Sequence, residues 1–231
     1  MTVYILLTVL TVAAAAFIKK QKVAGPPACV CTRQQACNYV CLVILFLLLF
    51  GVSFCRYQVG NDYSRYEEFF HLIPLHQVVP TEFGFNAIVL LMQFLFGPEA
   101  GISIFGLFAF VTVCFMLKAV YDQSEDFLFS FFLFMTLSYY FQSLNTVRYY
   151  LAWAVAVFSM KYVLKGQYLK FVLLILPTAT IHKSVLLVIP VYLLAILPWK
   201  RWQFLVLGAF ASTGLVFQDL YLRIIVKFYP S

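Results

Sequence analysis

Nine apolar runs divide this chain, at 2–18, 38–55, 85–97, 100–117, 127–143, 149–164, 168–181, 184–198 and 203–222, and short charged or polar segments separate them. A helix that crosses bilayer hydrocarbon needs about 20 mostly apolar residues, and most of these runs approach that length. Of the 231 residues, 64% are hydrophobic and 11% charged, against roughly 25% charged in a soluble domain. So apolar a chain cannot cover a globule with polar surface, and bilayer is the solvent that fits it. The expected fold is an all-α polytopic membrane protein, with residues 1–231 as a single transmembrane domain and no room for a soluble one.

Orientation follows from charge. Lys19, Lys20, Lys22 and Arg33 form one basic group, then come Lys118, then Lys161, Lys165 and Lys170, then Lys200 and Arg201. Positive-inside bias puts all of these in the cytoplasm, so the net charge of +7 reports orientation and does not point to nucleic acid. Spanning by every run would break that assignment. Run 85–97 is the exception, since its helix would reach only about 20 Å against roughly 30 Å of hydrocarbon, and Gly97-Pro98 ends it. It is expected to be a short re-entrant or interfacial helix. About eight transmembrane helices then remain, with both termini outside and Arg223 and Lys227 as outlying exceptions. Basic residues follow the first run instead of preceding it, which reads as an uncleaved helix and not a secretory signal.

Residues 56–84 form an extracytoplasmic loop in this scheme. Tyr63, Tyr66, Phe69 and Phe70 recur there at helical spacing, as in an amphipathic helix on the outer interface. Runs 168–181 and 184–198 read as a helical hairpin, with Pro177 interrupting the first. Cys29, Cys31, Cys37 and Cys41 are spaced C-x-C-x5-C-x3-C, which is not a usual zinc spacing. They are expected to form a cysteine-rich loop in a reducing compartment, while Cys55 and Cys114 serve as small apolar helix residues.

This topology gathers the unusual polar residues on one side. Arg56, Asp62, Tyr63, Arg65, Glu67, Glu68, His71, His76, Glu82, Asn145, Arg148, His182 and Lys183 come from four stretches and map to the outer face, which positive-inside bias depletes of arginine. Individually they are ambiguous: Arg56 could snorkel at the end of a span, and His182 could be a hydrogen-bonded core residue. Arg148, beside Asn145 in a tight turn between apolar runs, is a functional candidate. Two arginines and a lysine suit an anionic head group such as a diphosphate, and a carboxylate or histidine could take a proton from an attacking hydroxyl. There is no Gly-rich nucleotide loop, no H-E-x-x-H and no Ser/His/Asp set. A transporter would place polar residues in broken helices near mid-membrane, and these runs are almost free of them.

R-Y-Q-V-G-N-D-Y-S-R-Y at 56–66, E-F-G-F at 82–85, N-T-V-R at 145–148 and H-K-S at 182–184 resemble, in order and spacing, the EpsG family of Wzy-type polymerases for exopolysaccharide and capsule. The resemblance covers about residues 1–200. It departs at Tyr149, where the family usually has Gln, and it implies further helices after Ser231, so the chain is expected to be a shortened form. It also implies a glycosyltransferase-type, O-antigen-polymerase-like activity outside a bacterial cytoplasmic membrane, joining polyprenyl-diphosphate-linked repeat units. On this reading His182 and Asp62 are the catalytic candidates, with His182 favoured as base. Arg148, Arg56 and Lys183 would bind the diphosphate, while Asn145, Tyr63 and Glu82 would bind or orient sugar. No metal and no cofactor are expected. The expected partners are the lipid-linked glycan, the bilayer and other polysaccharide-assembly membrane proteins. Two alternatives stay open, a flippase or transporter of the same lipids and a non-catalytic scaffold.

Overall fold

The structure, a computed structural model, describes residues 2–19 and 32–228. Lys20, Lys22, Cys29 and Cys31 lie outside the described residues, as does the side chain of Lys227. The described residues form helices: α1 (Thr2–Ala15), α2 (Arg33–Phe54), α3 (Tyr63–Leu72), α4 (Phe83–Phe96), α5 (Gly101–Gln123), α6 (Phe127–Thr136), α7 (Tyr139–Gln142), α8 (Val147–Leu164), α9 (Tyr168–Ala179), a 3₁₀ turn (Lys183–Leu187), α10 (Val188–Ala195), α11 (Arg201–Val216) and α12 (Gln218–Phe228). No strand occurs among them.

The helices follow the apolar runs closely, with two exceptions. Run 127–143 breaks after α6, where Ser138 takes a left-handed backbone (φ 64°) and its N–H bonds back to Met135 O. Run 203–222 breaks at Phe217, between α11 and α12. Two helices, α2 and α5, are long and apolar enough to cross a bilayer. At 22 and 23 residues they reach about 33 Å. The apolar helices α1, α4, α6 and α9, and the segment Lys183–Ala195, are shorter. Many of their large side chains face outward, among them Phe94, Leu169 and Leu173, as a hydrocarbon solvent permits.

The chain packs as two compact units, Met1–Tyr192 and Leu193–Ser231. In the second, Thr213 and Tyr221 join α11 to α12 through their hydroxyls, 2.8 Å apart. In the first, α5 and α8 form the centre, with α2 against α5 and α9 against α8. Leu45, Leu49, Phe131 and Tyr140 fill the space among α1, α2, α5 and α6. Tyr140 brings its hydroxyl with it and satisfies it at Leu49 O (2.7 Å) and Ser53 Oγ (3.0 Å).

The aromatic stripe of α3 does not lie against lipid. Tyr63, Tyr66, Phe69 and Phe70 are all buried, packed with Phe85, Ile104, Phe105 and Phe108 of α4 and α5. Each such ring buries 150–250 Å², which fixes α3 as a wall of the fold. Helix α4 is held to this wall at its far end too, where Gln93 Nε2 donates to Phe70 O (2.8 Å). Helix α4 therefore packs along α3, through Phe85 near its start and Gln93 near its end.

At the opposite end of α5 and α8, Asp122 joins the two helices. Lys118 Nζ lies 3.0 Å from its Oδ1 and Lys161 Nζ 2.7 Å from its Oδ2. Gln123 Nε2 adds a bond to Val157 O at 2.8 Å, and Lys161 also lies 3.7 Å over the Phe158 ring. Lysines from two of the basic groups read from the sequence thus meet at one end of this unit.

Candidate functional site

The other end of α8 begins in the tight turn that follows α7. Two segments far away in sequence dock on that turn. Residues 56–62 come first. Arg56 Nη1 donates to Leu144 O (2.7 Å) and Asn61 N donates to Asn145 Oδ1 (3.2 Å). Gly60 makes the approach possible: its φ is +104°, and a Cβ there would sit 2.4 Å from Leu144 O. Only glycine combines that backbone with that clearance, which accounts for the glycine of the 56–66 motif. Asn145 also donates through Nδ2 to Gln142 Oε1 at 2.9 Å.

The start of α4 docks second. Gly84 N donates to Thr180 O at 2.7 Å, and a Cβ on Gly84 would fall 2.1 Å from Thr180 Oγ1. This contact brings Glu82, the residue before α4, between α8 and the tip that follows α9. Arg148 Nη1 donates to Glu82 Oε2 in an ion pair, and Lys183 N donates to Glu82 Oε1 at 3.2 Å. His182 Nδ1 lies 3.9 Å from the same Oε1, beyond hydrogen-bond reach. Glu82 is thus the hub of three motifs and orders the groups around it.

The cluster is not fully satisfied. Arg148 Nε and His182 Nδ1 are buried without a hydrogen-bond partner. Such groups are rare because an unmade bond in a buried place costs about 1–3 kcal/mol. The Arg148 guanidinium lies over two rings, 5.1 Å from the Phe85 centroid and 5.8 Å from that of Tyr66, so packing already holds its plane. On one side Arg148 lines a cavity of about 150 Å³ together with Asp62, Arg65, Tyr66, Phe69 and Pro80.

Burial lowers the His182 pKa below its ordinary value, and the Arg148 and Lys183 charges act in the same direction against the opposing pull of Glu82. The imidazole is therefore held neutral near pH 7. Its ring meets that of Tyr149 edge-on at 5.7 Å.

The structure separates the sequence candidates into groups. Glu82, Arg148, His182 and the Lys183 backbone form one cluster, and Asp62 joins Arg148 across the cavity. Arg56 and Tyr63 lie beneath that surface. Arg56 is buried, 4.5 Å over the Phe105 ring, with Nε unpartnered, and burial pushes its pKa down to about 10. Tyr63 stacks on the same Phe105 ring at 4.8 Å, and burial raises its pKa. His71 and His76 are exposed on and after α3. Arg65, which the sequence placed on the outer face without a site role, lines the cavity with Asp62; residues three apart share a helix face. Of the N-terminal cysteines, Cys37 and Cys41 are free thiols within α2, and no cluster of three potential metal ligands occurs among the described residues.

A family model described as the EpsG family matches residues 39–231. No curated protein and no solved structure matches the chain.

Proposed function

The chain belongs to the EpsG family, and from that premise we propose that it is a polysaccharide polymerase. In this reading it joins polyprenyl-diphosphate-linked oligosaccharide repeat units at the outer face of a bacterial cytoplasmic membrane, which it crosses about eight times. The observation that carries the reading is the unsatisfied cluster: Arg148, pinned by Glu82 and by two rings yet short of a partner at Nε, beside a cavity that also holds Asp62 and Arg65. An anionic lipid head group supplies the acceptor oxygens this cluster lacks.

The reaction assigns each residue a task. Arg148, with Arg65 and the Lys183 side chain, binds the donor diphosphate. The acceptor sugar hydroxyl attacks the anomeric carbon of the donor glycan as the bond from that carbon to the diphosphate oxygen breaks. Polyprenyl diphosphate leaves with the electron pair, and its charge rests on the arginines. The hydroxyl proton passes to His182, which must be neutral to accept it. Asp62 orients a sugar hydroxyl in the cavity. Glu82, Arg56, Asn145 and Tyr63 are positioning residues: the first aims Arg148 and the 182–183 turn, and the others hold the loop beneath.

The test is incubation of the purified protein in nanodiscs with defined lipid-linked repeat units, followed by gel sizing. A ladder of glycans on lipid is expected. Binding of the lipid without any ladder rejects the polymerase and leaves a scaffold, and movement of intact lipid across the bilayer of sealed proteoliposomes without chain growth identifies a flippase.

A further inference from the structure

An apolar groove of about 260 Å³ lies among α4, α5, α8 and α9. Ile88, Val111, Leu151, Leu174 and Ile181 are among its walls, and its one hydroxyl, on Thr178, is occupied by Leu174 O at 2.7 Å. The groove begins where the ionic cluster stops. Ile181 directly precedes His182. Leu151 follows Arg148 by three residues and so shares its face of α8. Phe108, another wall, packs at 5.6 Å against Phe85, whose ring lies under the Arg148 guanidinium. From there the groove continues along α5 from Leu107 to Phe115, about 12 Å of helix, towards the Asp122 end.

We propose that this groove holds the hydrocarbon chain of the donor lipid whose diphosphate is bound at Arg148. The proposal rests on the reading of the site given above and adds the tail subsite to it. A cationic cluster with unmade hydrogen bonds, continuous with a wall that offers none, is complementary to an amphiphile with an anionic head and an apolar tail. The cation also selects the source. Arg148 is fixed inside the protein between Glu82 and two rings, unlike a basic side chain that snorkels at a lipid-facing rim, so the groove serves a lipid drawn in by its head and not the bulk phospholipid. The tail reaches the groove from surrounding hydrocarbon, so packing in the groove and not removal from water holds it there, and preference over bulk phospholipid comes from the head group at Arg148.

The experiment uses the full chain in nanodiscs and geranylgeranyl diphosphate carrying a mid-chain diazirine. Photolabel is expected on peptides covering residues 107–115 and 173–181, suppressed by unlabelled geranylgeranyl diphosphate and not by phosphatidylglycerol. Val111→Trp, which fills the groove, is expected to weaken binding of geranylgeranyl diphosphate by about fivefold or more through overpacking while inorganic diphosphate binds as before. Equal suppression by phosphatidylglycerol, or label confined to the outward side chains of α4, overturns the proposal, and the label map does so on the wild-type chain whether or not the variant folds. Unchanged lipid affinity in a folded Val111→Trp protein removes the tail subsite alone. Failure of the wild-type chain to bind either diphosphate removes the head-group reading and the groove with it.

Discussion

At one end of α8 a carboxylate, Asp122, meets two lysines, while at the other a carboxylate, Glu82, meets an arginine and a histidine. Each cluster is built on one partly buried carboxylate, yet they differ in completeness. Asp122 offers one oxygen to each lysine, and Lys118 is more than half exposed, so water supplies whatever the protein does not. Around Glu82 the arginine and histidine each keep one buried nitrogen with no partner, and a cavity opens beside them. A satisfied cluster ties two helices together. The unsatisfied one, held rigid by rings and by a glycine-tight docking, is the one that the proposed function assigns to a ligand. The difference teaches that charge alone does not mark a site, whereas unfilled hydrogen-bonding capacity beside a space of ligand size does; Arg56, whose Nε is also unpartnered, lines a cavity of only about 10 Å³.

The strongest way to break the comparison is at His182. If it is the base, His182→Ala and His182→Gln each lower the polymerisation rate by roughly 100- to 10,000-fold. The wild-type rate should also fall as pH drops through the His182 pKa, because only the neutral imidazole accepts the proton. Burial lowers that pKa beneath 6.5, so the acidic limb is expected below pH 6.5, with the rate fully present above it. Rate measurements across pH 5–8 decide. A glutamine variant with normal activity and the wild-type limb would make His182 a structural residue and the Glu82 cluster no more than a second clasp.

Arg148→Lys comes next. It keeps the charge and loses the planar fork, and loss of such a contact to the reacting group is worth about 100-fold in rate. Ladder formation at matched protein level is the readout, and near-normal yield would mean that Arg148 serves only as the partner of Glu82.

Gly84→Ala tests position without touching charge. The added methyl meets Thr180, including its backbone oxygen, and must push the start of α4 away from the 180–183 tip. A misplacement of 1 Å can cost ~100-fold. Clearing contacts of 2.1, 2.7 and 2.8 Å to Thr180 calls for a shift approaching that size, expected to cost about tenfold to 100-fold in rate, with the lipid-binding affinity of the head group weakened in parallel. Unchanged activity would show that the Glu82 hub tolerates movement and is not preorganised.

The smallest effect belongs to the other end. Asp122→Asn breaks partly exposed pairs of a kind that contribute about 0–1 kcal/mol, so thermal stability in detergent should fall by no more than that and activity should stay within about twofold. A large loss of transfer in Asp122→Asn, with the protein folded, would erase the distinction between the two clusters.

Apolarity was legible along the chain because helix burial, whether in lipid or protein, needs runs of apolar side chains, and these runs became helices. What each face touches was not legible. The α3 aromatics have the spacing of an interfacial anchor, yet they face Phe85 and Phe105, because a stripe at 3.6-residue period records that one side is apolar and not which apolar partner it meets. The Ser138 and Phe217 breaks likewise lie inside runs whose composition carries no Gly or Pro at the break. The four motifs come together at one end of the unit, but the pairing of Arg148 with Glu82 spans 66 residues and leaves no periodic trace. Arg56 looked like a ligand-facing cation for the same reason: sequence shows its charge and hides Leu144 O and Phe105, which occupy it.

Those long separations bear on the order in which the protein is made. The chain emerges N-terminus first, so Arg56, Asp62 and Glu82 reach the membrane well before the segment that completes them. Arg56 waits for Leu144, 88 residues later. Glu82 waits for Arg148 and then for Lys183, 101 residues on. Through that interval these early groups are without the native partners that the later segments bring. The site closes only when the hairpin after α8 arrives, which makes its assembly one of the last events in the biogenesis of the first unit.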